Sequence, residues 1–313
     1  MVDRADRIAG GLVGLLVGDA LGVPYEFHLP ENLPPIEQIE FTPPQGFRRT
    51  YAGIPPGTWS DDGAQALCLL ASLLECDRFD PEDFGRRLVA WYDEGYMAVE
   101  GHVFDVGIHT GRVLSQIRRG VPPVQAGGID LNAKGNGSLM RSLPIVLWCQ
   151  GSDRELVELA HGQSQVTHGA ITCQVCCALY CLWGRGILEQ VAHPWQGAVA
   201  RLRQIYIENS PDWLEYLADL EESVRPQEDI TGTGTGYVVD CLRSARLALQ
   251  EDNFAAVVKT AIGLGHDTDT TACVAGGLAG LRHGIAEIPV HWRQQLRGEN
   301  LLQPLLQTLL RRW

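Results

Sequence analysis

Glycine recurs every fourth residue near the start of the chain, at Gly10, Gly14, Gly18 and Gly22. Residues four apart lie on the same face of an α-helix. Within the apolar stretch 8–21, this spacing predicts a helix over residues 4–21 that has one face without side chains. Each glycine costs a helix about 1 kcal/mol relative to alanine. We therefore expect this face to press closely against a neighbouring element.

Helical periodicity continues through most of the 313 residues, without the alternation typical of strands and without a repeated period. It predicts an all-α fold, a compact multi-helix globule that forms a single domain over residues 1–313. Residues 28–58 and 120–137, rich in proline or glycine, are predicted loops. A loop as long as 28–58 inside a compact domain is usually functional. Helices are predicted at residues 4–21, 63–76, 81–96, 107–119, 138–150, 153–162, 168–184, 195–208, 211–222, 236–250, 253–263, 270–284, from 289, and at 301–312.

Composition limits the kinds of partner. With 45% hydrophobic and 20% charged residues, the chain can bury a large core and is not of a disordered type. The net charge of −13 disfavours non-specific binding to nucleic acids or to anionic membranes. Because Asp19 and glycines interrupt the apolar stretch 8–21, no segment is expected to span a membrane. The nine cysteines lie mostly in apolar helical patterns, which predicts buried reduced thiols and a cytoplasmic location.

Two acidic clusters, each with a hydroxyl residue, precede helices that are rich in small residues: Ser60-Asp61-Asp62 and Asp267-Thr268-Asp269-Thr270. Either cluster alone is typical of a helix N-cap with acids in the first turn. If the two helix starts meet, four carboxylates converge and require cations. Oxygen ligands of this type suit Mg²⁺, Mn²⁺ or Ca²⁺, and two such ions can activate a water molecule. Zinc is disfavoured because no His or Cys has ligand spacing, although His266 adjoins the second cluster.

Two glycine-rich segments also lead into predicted helices, at residues 134–138 and 231–237. Free backbone N–H groups before a helix can hold a phosphate. The alternatives are an ordinary Asn-Gly turn in the first segment and a flexible linker in the second. Tyr237 offers a ring for stacking on a base or for the core. No Lys-Ser/Thr pair follows either segment, so an NTPase is not supported.

Taken together, these blocks resemble the ADP-ribosylglycohydrolase family. The resemblance runs from Arg7 to about Trp292, and the blocks occur in the family's order. They are Gly18-Asp19-Ala20-Leu21-Gly22 with Glu26, Ser60-Asp61-Asp62, Asp105-Val106-Gly107, Gly135-Asn136-Gly137 with Met140-Arg141, Thr167-His168, Gly236-Tyr237-Val238-Val239, Asp267-Thr268-Asp269-Thr270, and Ile288-Pro289 with Trp292.

The resemblance implies hydrolysis of the glycosidic bond between ADP-ribose and an acceptor, assisted by two Mg²⁺ or Mn²⁺ ions. The implied metal ligands are Ser60, Asp61, Asp62, Asp267, Asp269 and Thr270. The implied catalytic residues are Asp105, Glu26 and Asp269, with Asp105 or Glu26 as the general acid/base. The implied substrate-binding residues are Asn136, Gly137, Ser138 and His168 for the diphosphate and ribose, and Gly234 and Tyr237 in the loop beside the adenine.

Three departures from the family pattern concern the choice of substrate. Gly63 stands where relatives usually carry threonine, His266 replaces a common glycine, and Ile108-His109 replaces a pair that contains asparagine. The expected partner is a protein ADP-ribosylated on arginine, or a small molecule that contains ADP-ribose. Hydrolysis of serine, nucleic-acid or small-molecule adducts is the alternative. The other alternative is a weakly catalytic binding or immunity protein that sequesters ADP-ribose or a toxin.

Overall fold

The computed structural model describes residues 2–128, 130, 132–209 and 211–313, and these residues form α-helices without a β-strand. The prediction of an all-α fold is therefore confirmed. The helices are α1 Arg4–Gly22, α2 Asp61–Cys76, α3 Pro81–Glu94, α4 Ile108–Arg118, α5 Pro123–Gly127, α6 Leu143–Trp148, α7 Asp153–Gln165, α8 Ile171–Leu188, α9 Pro194–Glu208, α10 Leu214–Asp219, α11 Val238–Ala248, α12 Phe254–Gly263, α13 Thr268–His283, α14 Val290–Gln295 and α15 Glu299–Leu310.

The glycine face of α1 lies directly against α13, as the four-residue spacing predicts. A Cβ atom on Gly18 would lie 2.1 Å from the carbonyl oxygen of Ala272, and one on Gly14 would lie 2.5 Å from that of Gly276. Gly280 of α13 lies equally close to α1, since a Cβ atom on Gly280 would lie 1.9 Å from the carbonyl oxygen of Gly10. The two backbones therefore touch along their whole shared length. This contact fixes the end of α1 beside the start of α13.

Most predicted helices agree with the structure to within a few residues, and three regions differ. Helix α5, within the predicted loop 120–137, is a short turn that begins at Pro123 and shows no apolar periodicity. The predicted helix 138–150 is helical only over Leu143–Trp148, after a series of turns. The predicted helix 211–222 is α10 followed by a wider π-helical turn over Leu220–Val224.

The cysteines are confirmed as free thiols, and all are buried except the partly exposed Cys76. Burial raises the pKa values of the Cys173 and Cys176 thiols well above their usual range. A thiol with a raised pKa is a poor nucleophile and a poor metal ligand. The Cys173/Cys176 spacing therefore reflects one buried helix face rather than a redox or zinc site.

Two helices meet the criteria of length and composition for a membrane-spanning segment, although we expected no such segment from the sequence. Arg4–Tyr25 and Ile171–Leu188 qualify by length and composition, with mean hydropathies of 1.5 and 1.4. The expectation counted uninterrupted apolar residues, whereas a window average tolerates Asp19 and the glycines. In the structure these windows are 100% and 89% buried by other parts of the chain. Buried core helices of proteins that do not span a membrane meet the same criterion. The composition of these two helices is therefore weak evidence for a membrane location.

Candidate active site

The two acidic clusters meet where α2 and α13 begin. Ser60 is the N-cap of α2, and its Oγ accepts a hydrogen bond from the backbone N–H of Asp62 at 3.3 Å. Thr270, in the first turn of α13, donates its hydroxyl hydrogen to Oδ1 of Asp62, also at 3.3 Å. Two helix starts that are distant in sequence thus form one buried site.

Carboxylate oxygens assemble into two groups in this site. Oxygens of Asp19, Asp62 and Asp269 lie within 4.8 Å of one another, and so do oxygens of Glu26, Asp267 and Asp269. Asp269 belongs to both groups, so its carboxylate would be a ligand for a cation held by either group. The structure therefore brings together most of the acids that the sequence singled out.

Three oxygens of these acids are buried without a hydrogen-bond partner among the described residues: Oε2 of Glu26, Oδ2 of Asp62 and Oδ2 of Asp269. Burial, and then repulsion by neighbouring carboxylates, raises the pKa of Glu26 to about 10 and the pKa values of Asp62 and Asp269 well above their usual range. A divalent cation would supply the missing partners and offset the repulsion. The donor set consists of oxygens, so these residues fit Mg²⁺ or Mn²⁺.

Asp19 is the acid whose role the sequence interpretation missed. Its carboxylate accepts hydrogen bonds from the backbone N–H of Ser60, at 2.9 and 3.1 Å, and from that of Gly63, at 2.7 Å. Burial raises the pKa of Asp19 to about 7 despite these bonds. In the sequence we interpreted Asp19 as an interruption of the apolar stretch and as part of a block shared with the family, but gave it no role in the site.

Gly63 gives Asp19 the space to reach the start of α2. A Cβ atom at position 63 would lie 2.9 Å from Oδ2 of Asp19 and 2.8 Å from Cγ of Trp59. Any larger residue would require these neighbours to move. The departure at position 63 is thus linked to the close contact between α1 and α2.

Asp61 lies in neither carboxylate group and connects the site to a buried arginine. Its Oδ2 accepts a hydrogen bond from Nε2 of Gln65 at 3.0 Å, and Oε1 of Gln65 accepts one from Nη1 of Arg141 at 2.7 Å. Arg141 is fully buried and also donates to Gln163 and to Oγ1 of Thr167. Burial lowers the pKa of Arg141 to about 10, so it remains a cation at neutral pH. Its charge partly offsets that of the acids.

The two glycine-rich segments lie side by side next to the acids. The backbone N–H of Asn136 donates to the carbonyl of Gly236 at 3.0 Å, and Nδ2 of Asn136 donates to Oδ2 of Asp267 at 2.9 Å. Gly234 has a φ of +70°, and its carbonyl accepts a hydrogen bond from the N–H of Asp267 at 2.9 Å. Hydrogen bonds therefore join the predicted phosphate-binding loops to each other and to the acidic site.

The other predicted substrate-binding residues occupy different environments. His168 is buried, with Nδ1 2.8 Å from Oγ1 of Thr167, and a Cβ on Gly137 would lie 2.9 Å from its ring. Oγ of Ser138 is fully buried and lies 2.8 Å from Oγ of Ser164, within hydrogen-bond distance. Tyr237 is 42% exposed at the start of α11 and leaves its ring accessible for stacking. The substrate roles of these residues stay predictions.

The two proposed acid/base residues differ in exposure. Glu26 is only 3% exposed, whereas Asp105 is partly exposed and accepts a hydrogen bond from the hydroxyl of Tyr51 at 2.6 Å. Burial also raises the pKa of Asp105, and the Tyr51 hydrogen bond opposes this shift. Asp105 is therefore the more accessible of the two carboxyl groups for a substrate.

A cavity of about 500 Å³ lies at the opposite ends of α1 and α13 and is lined by Arg7, Arg246 and Arg282. Each guanidinium donates to backbone carbonyls near helix ends, among them that of Leu281 for Arg7 and that of Leu249 for Arg282. These arginines are thus engaged in holding helix ends. The cavity is separate from the acids.

The raised carboxyl pKa values predict that the cation-free protein becomes less stable as pH rises. A carboxyl whose pKa is raised on folding contributes stability below its ordinary pKa and loses it as pH rises through the folded value. Between pH 5.5 and pH 7.5, in chelator, we expect the melting temperature to fall by a few degrees. Added Mn²⁺ should raise the melting temperature again. The increase should be larger at pH 7.5, because fewer protons compete with the cation for the carboxylates. Calorimetric melts measure both effects, and equal Mn²⁺ shifts at the two pH values would contradict the expectation.

Comparison with known proteins shows the family to which this chain belongs. The sequence matches the ADP-ribosylglycohydrolase family over residues 1–313. It is 31% identical to the ADP-ribosylarginine hydrolase Tri1 of Pseudomonas putida strain GB-1, with 98% of this chain and 78% of that protein covered. It is 29% identical to the protein of the same name from Serratia proteamaculans strain 568, with 98% of this chain and 80% of that protein covered.

A solved structure described as an ADP-ribosylglycohydrolase-related protein complex has the same fold. It superposes with a TM-score of 0.74 at 30% sequence identity, and the match covers 99% of both chains. Family, relatives and fold agree over essentially the full length. The chain belongs to the ADP-ribosylglycohydrolase family and is therefore a hydrolase of ADP-ribosyl glycosidic bonds.

Proposed function

We propose that this protein is a divalent-metal-dependent hydrolase that removes mono-ADP-ribose from arginine side chains of proteins. The observation that carries the metal dependence is Asp269, shared by two groups of buried carboxylates that leave three oxygens without partners. The arginine acceptor is supported by two relatives that carry the name ADP-ribosylarginine hydrolase.

The residues that would hold the cations are the hydroxyl and carboxylate groups of Ser60, Asp61, Asp62, Asp267, Asp269 and Thr270. Asp19 and Glu26 lie close enough to join them. When bound, the cations would supply positive charge that orients the ribose hydroxyls and acidifies water.

Hydrolysis requires that a water oxygen bonds to the anomeric carbon of the ribose while the bond from this carbon to the guanidine nitrogen breaks. The water loses a proton, and the departing guanidine gains one. Asp105 is more exposed than Glu26, so we assign proton transfer to Asp105. The surrounding carboxylates favour the positive charge that develops on the sugar ring.

The adenine and diphosphate are assigned to the paired glycine-rich segments. Backbone N–H groups of residues 134–138 suit the phosphate oxygens. Tyr237 lies where the two segments pair and offers a partly exposed ring for the base. We assign the ribose to the region between the loops and the acids, because Asn136 joins the two through its hydrogen bond to Asp267.

A substrate panel tests the proposal. The protein is incubated with peptides ADP-ribosylated on arginine or on serine and with an ADP-ribosylated oligonucleotide, in chelator and after addition of Mg²⁺ or Mn²⁺. We expect release of ADP-ribose from the arginine peptide, loss of activity in chelator, and recovery with either cation. Release only from serine or from the oligonucleotide would contradict the acceptor. Binding of ADP-ribose without any turnover would favour a sequestering protein.

A further inference from the structure

Three aromatic side chains from three separate segments meet beside Asp105. The ring of Tyr51 lies 6.3 Å from that of Phe27 and 5.1 Å from that of Phe104, measured between centroids. Phe27 is 68% exposed, which is unusual for so large an apolar side chain. We call these three residues the aromatic cluster.

The aromatic cluster is attached to the proposed general acid/base. The Tyr51 hydroxyl donates to Oδ1 of Asp105 at 2.6 Å, and Asp105 directly follows Phe104 in the chain. The loop that carries Tyr51 is also tied to the segment beside Phe27, since Oγ1 of Thr50 donates to the carbonyl of Glu26 at 2.6 Å. Tyr51 and Phe104 therefore border Asp105, and Phe27 packs against Tyr51.

Backbone conformation shows that the fold holds these residues in place at a cost. Phe27, Tyr51 and Asp105 have φ values of +62°, +52° and +58°, in the left-handed region that residues with a Cβ avoid. Such conformations persist when the surroundings impose them, and they concentrate at functional sites. Here Phe27 is fixed by a hydrogen bond from its N–H to the carbonyl of His266 at 2.6 Å.

We propose that the aromatic cluster and Asp105 form the subsite that binds the guanidinium of the ADP-ribosylated arginine, an inference that rests on the proposed function. A guanidinium is planar and weakly hydrated, stacks on aromatic rings, and donates hydrogen bonds to a carboxylate. A seryl acceptor offers only an ether oxygen, which neither stacks nor carries charge. The loop 28–58, which has no helical periodicity, thus selects the acceptor through Tyr51.

Phe27→Leu tests the subsite because it removes the aromatic face of an exposed residue and keeps an apolar side chain. On the arginine-ADP-ribosylated peptide we expect KM to rise about three- to tenfold, with a smaller change in kcat. The inhibition constant of free ADP-ribose should stay at the wild-type value, because ADP-ribose carries no guanidinium. Ile207→Ala, at a 55% exposed apolar residue on α9, is the control and should change neither constant.

Tyr51→Phe provides a second test that keeps the ring and removes only its hydrogen bond to Asp105. We expect kcat to fall and the pH dependence of kcat to shift, because the carboxyl loses a donor, while the inhibition constant of ADP-ribose is retained. A wild-type KM in Phe27→Leu, or an inhibition constant of ADP-ribose that rises as much as KM, overturns the subsite. If the wild-type protein does not hydrolyse the arginine peptide at all, the proposed function itself fails, which is a distinguishable result.

Discussion

Asp62→Asn and Asp269→Asn are each expected to lower kcat on the arginine peptide about 1000-fold, since cation charge in such sites supplies several kcal/mol of transition-state stabilisation. Both acids have an oxygen buried without a partner and lie in a group of three convergent carboxylates. Asparagine keeps the shape of the side chain and removes its charge. Steady-state kinetics at saturating Mn²⁺ measures the loss.

The same variants should behave differently in stability, which separates loss of the site from loss of the fold. Without cations, removing one buried charge from a repulsive group should leave the melting temperature unchanged or raise it. The additional stabilisation by Mn²⁺ should be lost. Asp252→Asn, at an exposed acid after α11, is the control and should keep both activity and the Mn²⁺ shift. Activity that remains high and sensitive to chelator in both variants would exclude these acids as the metal site.

Gly18→Ala is expected to destabilise the protein by about 3 kcal/mol or more, although alanine favours a helix over glycine by about 1 kcal/mol. The new Cβ would lie 2.1 Å from the carbonyl oxygen of Ala272 and 2.6 Å from its carbonyl carbon. Both atoms belong to the backbone of α13, so α1 must move away from α13 as a whole. Urea denaturation measures the change in the free energy of unfolding.

Gly197→Ala is the matched control, because Gly197 lies on an exposed face of α9 and the nearest atom to its new Cβ would be 4.0 Å away. There the substitution should stabilise the protein by about 0.5–1 kcal/mol. A movement of α1 would also displace Asp19 from the start of α2, so Gly18→Ala should weaken Mn²⁺ binding. A free energy of unfolding within about 0.5 kcal/mol of the wild-type value would show that the close contact does not require glycine.

The helices and the glycine face of α1 could be predicted because they depend on residues near one another in the chain. The four-residue spacing of glycines specifies one bare face on any helix. The N-cap at Ser60 follows from local chemistry in the same way. Helix α5 and the irregular turn after α10 were missed because short or irregular helices lack a readable period.

Asp19 and Tyr51 show where local reasoning ends. Asp19 has no polar neighbour in sequence, and its partners Ser60 and Gly63 reach it only through the packing of α1 against α2. Tyr51 lies in a loop without periodicity, and its hydroxyl meets Asp105 through the tertiary arrangement of two loops. Neither contact produces a sequence pattern from which it could be predicted.

By itself, the sequence determined the helical class, the bare face of α1 and the oxygen-rich, glycine-rich chemistry of the candidate site, because periodicity and helix capping act over a few residues. Only the tertiary structure decided which carboxylates converge, that Asp269 belongs to both groups, and that aromatic rings border Asp105. The close contact of α1 with α13 is the physical reason. It places Asp19 and Asp269 at one end of the helix pair, where the start of α2 and the loops meet them.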